Sequence, residues 1–126
     1  MKTIRLLAAL AFTTLAGFAQ ALDIAPWSPD DFARQQAAGH AVALHFHADW
    51  CPTCRAQQQV FNGWRGDASV PGRLLVVDYD NARELRRQFG VRTQSTLIVF
   101  KGSKEVARLA GETDPAKLRA ALEAAR

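Results

Sequence analysis

The stretch HFHADWCPTC, residues 45–54, holds both cysteines of this 126-residue chain and two of its three histidines. Residues of these types at this spacing serve three kinds of chemistry: a redox-active dithiol, a metal site, or a short structural disulfide. The choice between them depends on the structure around the pair, and therefore on the elements that the neighbouring sequence predicts.

The first 21 residues have the layout of a secretory signal peptide. A short basic start is followed by an apolar run and by the sequence AQA at residues 19–21. The run is shorter than the roughly 20 residues that a membrane-spanning helix needs. We therefore expect cleavage after Ala21 and a single soluble, periplasmic domain formed by residues 22–126. That compartment is oxidising, so a disulfide can form there.

The expected mature domain is nearly neutral, which argues against a nucleic-acid partner. Two of the 16 basic residues and none of the 12 acidic ones lie in the leader, which leaves 14 against 12 and a net charge of +2. The four arginines between residues 83 and 92 form the only basic cluster, and such a cluster is typical of a solvated helix face.

Hydrophobic periodicity and helix-capping residues predict the order helix, strand, helix, strand, helix, strand, strand, helix. The predicted strands are 41–48, 73–80, 95–100 and 104–111, and the predicted helices start near Ser28, Cys51, Asn81 and Asp114. Two parallel strands joined by a helical crossover and followed by a hairpin make an α/β fold. We expect a three-layer sandwich, with a mixed central sheet and helices on both faces.

This order places the cysteine pair where α/β proteins usually keep their sites. Strand 41–48 is apolar on both faces, as expected of a central strand. Cys51 follows it directly and coincides with the start of the next helix. Open α/β sheets bind their ligands just beyond the carboxyl ends of such strands.

Two of the three interpretations have weak points. A disulfide between Cys51 and Cys54 would close four residues and stabilise the fold by only about 2 kcal/mol. A zinc or copper site could use His45, His47 and both cysteines, because residues two apart in a strand point to the same side. These four groups would have to meet across the bend between strand and helix. A metal carrier or sensor remains the alternative hypothesis.

A redox dithiol explains more of the residues. The reacting species is the thiolate, and the start of a helix lowers the pKa of a cysteine through its dipole and free N–H groups. We expect Cys51 to be the more exposed sulfur and to attack, and Cys54 to resolve the mixed disulfide. Pro52 suits a first helical turn, and Trp50 offers a flat apolar lip for an extended substrate.

The chain resembles the thioredoxin family over roughly residues 23–125. WCPTC, residues 50–54, matches the family's W-C-x-x-C, and FGVRTQSTLIVFKG, residues 89–102, resembles its cis-proline loop and following strand. Gly111 falls where the family has a glycine in its last strand. The resemblance implies a thiol–disulfide oxidoreductase without a bound cofactor. ADWC and the leader resemble the exported branch, which works with membrane electron carriers or in cytochrome c maturation.

One departure from the family lies in the loop that faces the cysteines. Ser95 stands where the family has its cis-proline, within Gln94-Ser95-Thr96, the segment expected to face substrate. A cis bond before a residue other than proline costs about 2.5–4 kcal/mol. We therefore expect a trans bond or a rearranged loop. The family's proline is also thought to keep metals off the dithiol, so its absence favours the metal alternative.

Two histidines mark the other departures. His45 replaces the family's buried acid and is a candidate proton relay to the inner cysteine. The basic partner of that acid falls at Val76, so no ion pair is available. His47 replaces an aromatic residue beside the site. A protonated His47 near Cys51 would stabilise the thiolate and make the disulfide more oxidising.

The leading hypothesis is a periplasmic oxidoreductase that acts on cysteines of other exported proteins through Cys51 and Cys54. The branch resemblance favours reduction or disulfide interchange, whereas His47 favours oxidation. As a reductant it would need an electron donor at the membrane. We expect a monomer.

Overall fold

The computed structural model describes residue 11 and residues 21–126 of the chain. The predicted signal peptide, residues 1–21, lies outside the described residues except for Ala11 and Ala21. Among the described residues, no helix has both the length and the apolarity needed to cross a membrane.

Five strands and four helices make up the domain. The strands are β1 (Asp23–Pro26), β2 (Ala41–His47), β3 (Arg73–Asp78), β4 (Thr96–Lys101) and β5 (Lys104–Ala110). The helices are α1 (Pro29–Ala37), α2 (Pro52–Gly63), α3 (Arg83–Phe89) and α4 (Pro115–Glu123), and a 3-10 turn spans Tyr79–Asn81. All eight predicted elements are present. The sequence analysis missed β1 and the 3-10 turn.

The capping residues explain where the helices begin and end. The Ser28 hydroxyl accepts a hydrogen bond from the N–H of Asp31, and the Asp114 carboxylate accepts one from Ala116. Gly90 ends α3 with a φ of 65°, a conformation that glycine adopts readily. The predicted start of α3 at Asn81 is wrong by two residues, because the Asp78 carboxylate caps the 3-10 turn first.

The sheet has the order β1-β3-β2-β4-β5, with β2 at its centre. β2 and β1 both pair with β3 in parallel, and β4 pairs antiparallel with β2 and β5. One core cluster joins this sheet to α2 and α4 through Phe61 and Leu118. A second joins the opposite face to α1 and α3 through Phe32 and Phe89. The predicted three-layer α/β sandwich is confirmed.

Side chains along β2 alternate between the two faces of the sheet, and this alternation determines which residues lie on the α2 side. Leu44 and Phe46 belong to the core on the α1 and α3 side. His45 and His47 point to the other side, with ring centroids 5.4 Å apart, and His45 packs edge-on against Phe61 of α2. The chain leaves this strand at His47 and enters α2 at Pro52, so both cysteines lie at the carboxyl end of the central strand.

Candidate active site

Cys51 is the residue that starts α2. Its backbone is extended (φ −90°, ψ 114°), and its sulfur accepts a hydrogen bond from the N–H of Cys54 at 3.2 Å. Pro52 takes the first helical position, where no N–H partner is required. The thiol thus replaces the hydroxyl or carboxylate oxygen that usually caps a helix. The predicted helix-start dithiol is confirmed, and both thiols are free.

Both cysteines are covered by protein. Cys51 is 2% exposed and Cys54 is 0% exposed. Cys51 is the more exposed of the two, as predicted, but the difference is small and both thiols are buried. The cover includes Ser95, which is remote in sequence, and Cys51 also belongs to a small apolar cluster with Ala48 that packs against Tyr79.

The loop before β4 lies against both sulfurs. Among the described residues no peptide bond is cis, and Ser95 is the one non-glycine residue with a positive φ, 65°. The predicted trans bond before Ser95 is confirmed. The Ser95 hydroxyl lies 3.3 Å from the sulfur of Cys51 and 3.0 Å from that of Cys54.

The two thiols differ in acidity. Burial disfavours the Cys51 thiolate, but hydrogen bonds from Cys54, Ser95 and the backbone of Thr53 outweigh it and lower the pKa of Cys51 below the usual thiol value. Burial and the neighbouring Cys51 raise the pKa of Cys54. Cys51 is therefore the sulfur that ionises first, as an attacking thiolate must, and Cys54 keeps its proton.

His45 is fully buried beside α2. Its Nε2 lies 2.9 Å from Oε1 of Gln57, and its Nδ1 lies 3.2 Å from the side-chain amide of Gln58. Burial lowers the pKa of His45 to about 4, against the hydrogen bond that His45 donates to Gln57, which raises it. The ring is neutral at pH 7. Neither ring nitrogen bonds to a cysteine, so its role as a proton relay stays a prediction.

Gln57 is a site residue that the sequence analysis missed. It is 0% exposed, and its Nε2 donates to the carbonyl oxygens of Ser95 and Glu112 at 3.0 and 2.8 Å. Both amide protons are thus used, so Oε1 must accept from His45, which places the imidazole proton on Nε2. The available signal was its position one helical turn after Cys54, on the buried face of α2.

We expect Gln57→Leu to lower the free energy of unfolding by about 3 kcal/mol, because two carbonyls and one imidazole N–H would lose their buried partner. Gln59 lies on the exposed face of the same helix, and Gln59→Leu should change stability by no more than about 0.5 kcal/mol. Urea unfolding of both variants measures the difference. Equal losses of unfolding free energy in the two variants would show that the hydrogen bonds of the buried Gln57 amide do not stabilise the fold.

The candidate metal ligands do not converge. Nε2 of His47 pairs with the Asp49 carboxylate at 2.9 Å, the nitrogens of His45 face two glutamines, and the sulfurs face Ser95. Among the described residues, no group of three or more histidine, cysteine or acidic side chains could hold a metal ion. This geometry disagrees with the metal alternative. The effect of His47 on the thiolate remains a prediction.

The residues expected to face substrate differ in their exposure. The Trp50 side chain is 58% exposed, and its indole N–H donates to the Asp80 carboxylate at 2.7 Å. Trp50 lines a groove of about 670 Å³ that also carries Asp49, Asp78 and Asp80. In the loop before β4, Gln94 is half-buried, and Ser95 and Thr96 are buried. Pro52 is exposed at the helix start.

A helix-start dithiol, with one acidified and one protonated thiol at the end of a central strand, defines a thiol–disulfide oxidoreductase on an α/β sandwich. The family model for thioredoxin matches residues 23–124. The chain belongs to the thioredoxin family.

Individual relatives agree with this assignment. A thioredoxin from Chlamydia muridarum is 36% identical over 87 residues, covering 69% of this chain and 83% of that protein. A thioredoxin-like protein from Fusarium culmorum is 31% identical over 102 residues, covering 76% and 84%. The crystal structure of Trxlp from Edwardsiella tarda superposes with a TM-score of 0.75 at 34% identity, covering 79% of this chain and 98% of that one.

Proposed function

We propose that this oxidoreductase works outside the cytoplasm, in the periplasm, and reduces or interchanges disulfides in other exported proteins. Cys51 attacks a substrate disulfide, and Cys54 resolves the resulting mixed disulfide. The observation that carries the chemistry is the position of Cys51 at the start of α2, where its sulfur accepts the N–H of Cys54 and contacts the Ser95 hydroxyl. These hydrogen bonds outweigh burial and lower the pKa of Cys51, whereas burial raises the pKa of Cys54. Export is supported by the leader-like residues 1–21.

The cycle needs a partner that returns electrons to the Cys51–Cys54 disulfide after each turnover. A membrane protein with a dithiol facing the same compartment is the class of donor that fits an exported reductant. The exposed face of Trp50 is the available contact surface beside the dithiol. The same surface would receive substrate and donor in turn, so a monomer is sufficient for the reaction.

Export is tested by fractionating cells that make the full chain or a variant lacking residues 2–21. The proposal expects the full chain, shortened at its N-terminus, in the periplasmic fraction and the deletion variant in the cytoplasm. Equal retention of both in the cytoplasm would contradict it.

The direction of electron flow is tested by equilibrating the protein with glutathione buffers and measuring its reduction potential. A reductant or interchange catalyst is expected to lie nearer to about −270 mV than to about −120 mV. A potential at the upper end would mean that the protein introduces disulfides. Cys51→Ser, which cannot form the disulfide, is the matched blank.

A further inference from the structure

The Ser95 hydroxyl is shared between the two reacting sulfurs. Its oxygen is 3.0 Å from Cys54 and 3.3 Å from Cys51, within contact distance for both, and the residue is 3% exposed. Sulfur is a large acceptor, so distances in this range are hydrogen bonds rather than loose contacts. One hydroxyl therefore serves both halves of the dithiol, away from bulk water.

The backbone holds this hydroxyl in place. The Ser95 N–H donates to the carbonyl of Phe46 at 2.9 Å, and the Ser95 carbonyl accepts from the N–H of Gly111 at 3.1 Å and from Gln57 at 3.0 Å. These bonds keep a serine at a φ of 65°, which non-glycine residues adopt uncommonly. A strained residue that its surroundings hold so firmly is a candidate for a functional role.

A hydroxyl has one proton to donate and lone pairs to accept. In the reduced protein it can donate to a Cys51 thiolate while it accepts from the Cys54 thiol. We propose that Ser95 is a catalytic residue that donates its hydrogen bond to whichever sulfur is the thiolate, first Cys51 and then Cys54. This inference rests on the proposed disulfide exchange and assigns one of its working groups.

Disulfide exchange at this site takes two steps. The Cys51 thiolate attacks a disulfide R–S–S–R′, forming Cys51–S–S–R and releasing R′–S⁻. Cys54 then gives its proton to water and attacks Cys51, forming the Cys51–Cys54 disulfide and releasing R–S⁻. The departing thiolates take up from water the two protons that the cysteines released. Once Cys51 is in the mixed disulfide it carries no charge, which leaves the Ser95 proton available to the Cys54 thiolate.

Most other side chains near the dithiol have hydrogen-bond partners of their own. His45 faces Gln57 and Gln58, and Nε2 of His47 pairs with Asp49, while His47 Nδ1 is buried with no partner and bonds to neither sulfur. The Asp80 carboxylate accepts from the Trp50 indole, and the Tyr79 hydroxyl donates to the carbonyl of Arg92. The Cys54 sulfur also meets the carbonyl of Phe46 at 4.0 Å, which accepts and cannot stabilise a thiolate, and the backbone N–H of Ala48, which lowers the pKa of Cys54 but is a main-chain donor. Ser95 is the side-chain O–H donor placed for both sulfurs.

The test uses three variants of the full protein: Ser95→Ala and Ser95→Gly lack the hydroxyl, and Ser95→Thr keeps it. Glycine also relieves the positive φ, so it separates the hydroxyl from backbone strain. The Ala and Gly variants should raise the Cys51 pKa by about one pH unit, followed by thiolate absorbance across a pH titration. They should also lower the equilibrium constant for oxidising glutathione about tenfold, or about 30 mV.

A second readout follows the resolving step alone. The mixed disulfide with glutathione is formed, and release of glutathione by Cys54 is timed. The Ser95→Ala and Ser95→Gly variants should release glutathione about tenfold more slowly than wild type, and Ser95→Thr should stay within about twofold of the wild-type rate. An unchanged Cys51 pKa in Ala and Gly, an unchanged release rate, or a Thr variant as impaired as Ala would overturn the assignment. Failure of the wild-type protein to exchange with any disulfide would instead overturn the proposed function itself.

Discussion

Replacing Cys51 by serine is expected to lower the rate of disulfide reduction on the order of a thousandfold or more, because a serine hydroxyl does not ionise near neutral pH. The Cys51 sulfur accepts the N–H of Cys54 at the start of α2 and contacts the Ser95 hydroxyl. A serine oxygen can accept the same helix-capping bond, so the fold should be retained. Reduction of insulin by dithiothreitol, with and without the protein, measures the rate.

The matched control is Thr53→Ser, which lies between the two cysteines and changes neither sulfur. It should keep nearly the full wild-type rate. Unfolding curves for Cys51→Ser and wild type should agree within about 1 kcal/mol, which separates lost chemistry from lost structure. Residual activity of Cys51→Ser above a tenth of the wild-type rate would contradict the assignment of Cys51 as the attacking sulfur.

Acidification is expected to destabilise the protein by about 3 kcal/mol through His45 alone. The ring is 0% exposed, and burial lowers its pKa from 6.5 to about 4. Between these two values the unfolded chain binds a proton that the folded chain does not. The contribution of neutral His45 to the free energy of unfolding is therefore fully present above about pH 6.5 and is lost as the pH falls to about 4. Urea unfolding at several pH values across this window measures the loss.

His45→Asn is the variant that tests this origin. Asparagine keeps hydrogen-bonding groups near Gln57 and does not titrate, so the loss of stability between about pH 6.5 and pH 4 should shrink by most of the 3 kcal/mol. The comparison uses the pH dependence of each protein and not its absolute stability, because the substitution also changes packing. Asp67 and Glu105 also have lowered pKa values. Both residues are present in wild type and in the variant, so their effect on the pH dependence cancels when the two proteins are compared. Equal pH dependence in both proteins would contradict the lowered pKa.

Local sequence signals were sufficient for most of the fold and for the dithiol. Helix ends depend on hydrogen bonds within one turn, so the local sequence is enough to predict them. The structure agrees closely with the helix ends predicted from Ser28, Cys51-Pro52, Gly90 and Asp114. The missing proline at Ser95 likewise predicted a trans bond, because a cis bond there carries its own conformational cost. β1 was missed because it has four residues, Asp23–Pro26, and pairs with β3 some fifty positions away.

The parts of the site that were not predicted depend on contacts between distant segments. Cys51 is buried because the loop at Ser95, 44 residues further along the chain, lies against its sulfur. Gln57 matters because Ser95 and Glu112 place carbonyl groups against its amide. The histidines were predicted to share a side, which β2 confirms. The partners of His45, Gln57 and Gln58, belong to α2, whose packing against β2 the pattern did not define.

Trapping the substrate on a single sulfur identifies the attacking cysteine. Reduced Cys54→Ser is mixed with a peptide that contains a disulfide, and intact mass followed by fragment mapping locates the adduct. We expect a stable one-to-one adduct on Cys51, which wild type resolves and releases. No adduct on Cys51 of the folded Cys54→Ser variant, or an equally fast adduct on Cys54 of Cys51→Ser, would contradict it.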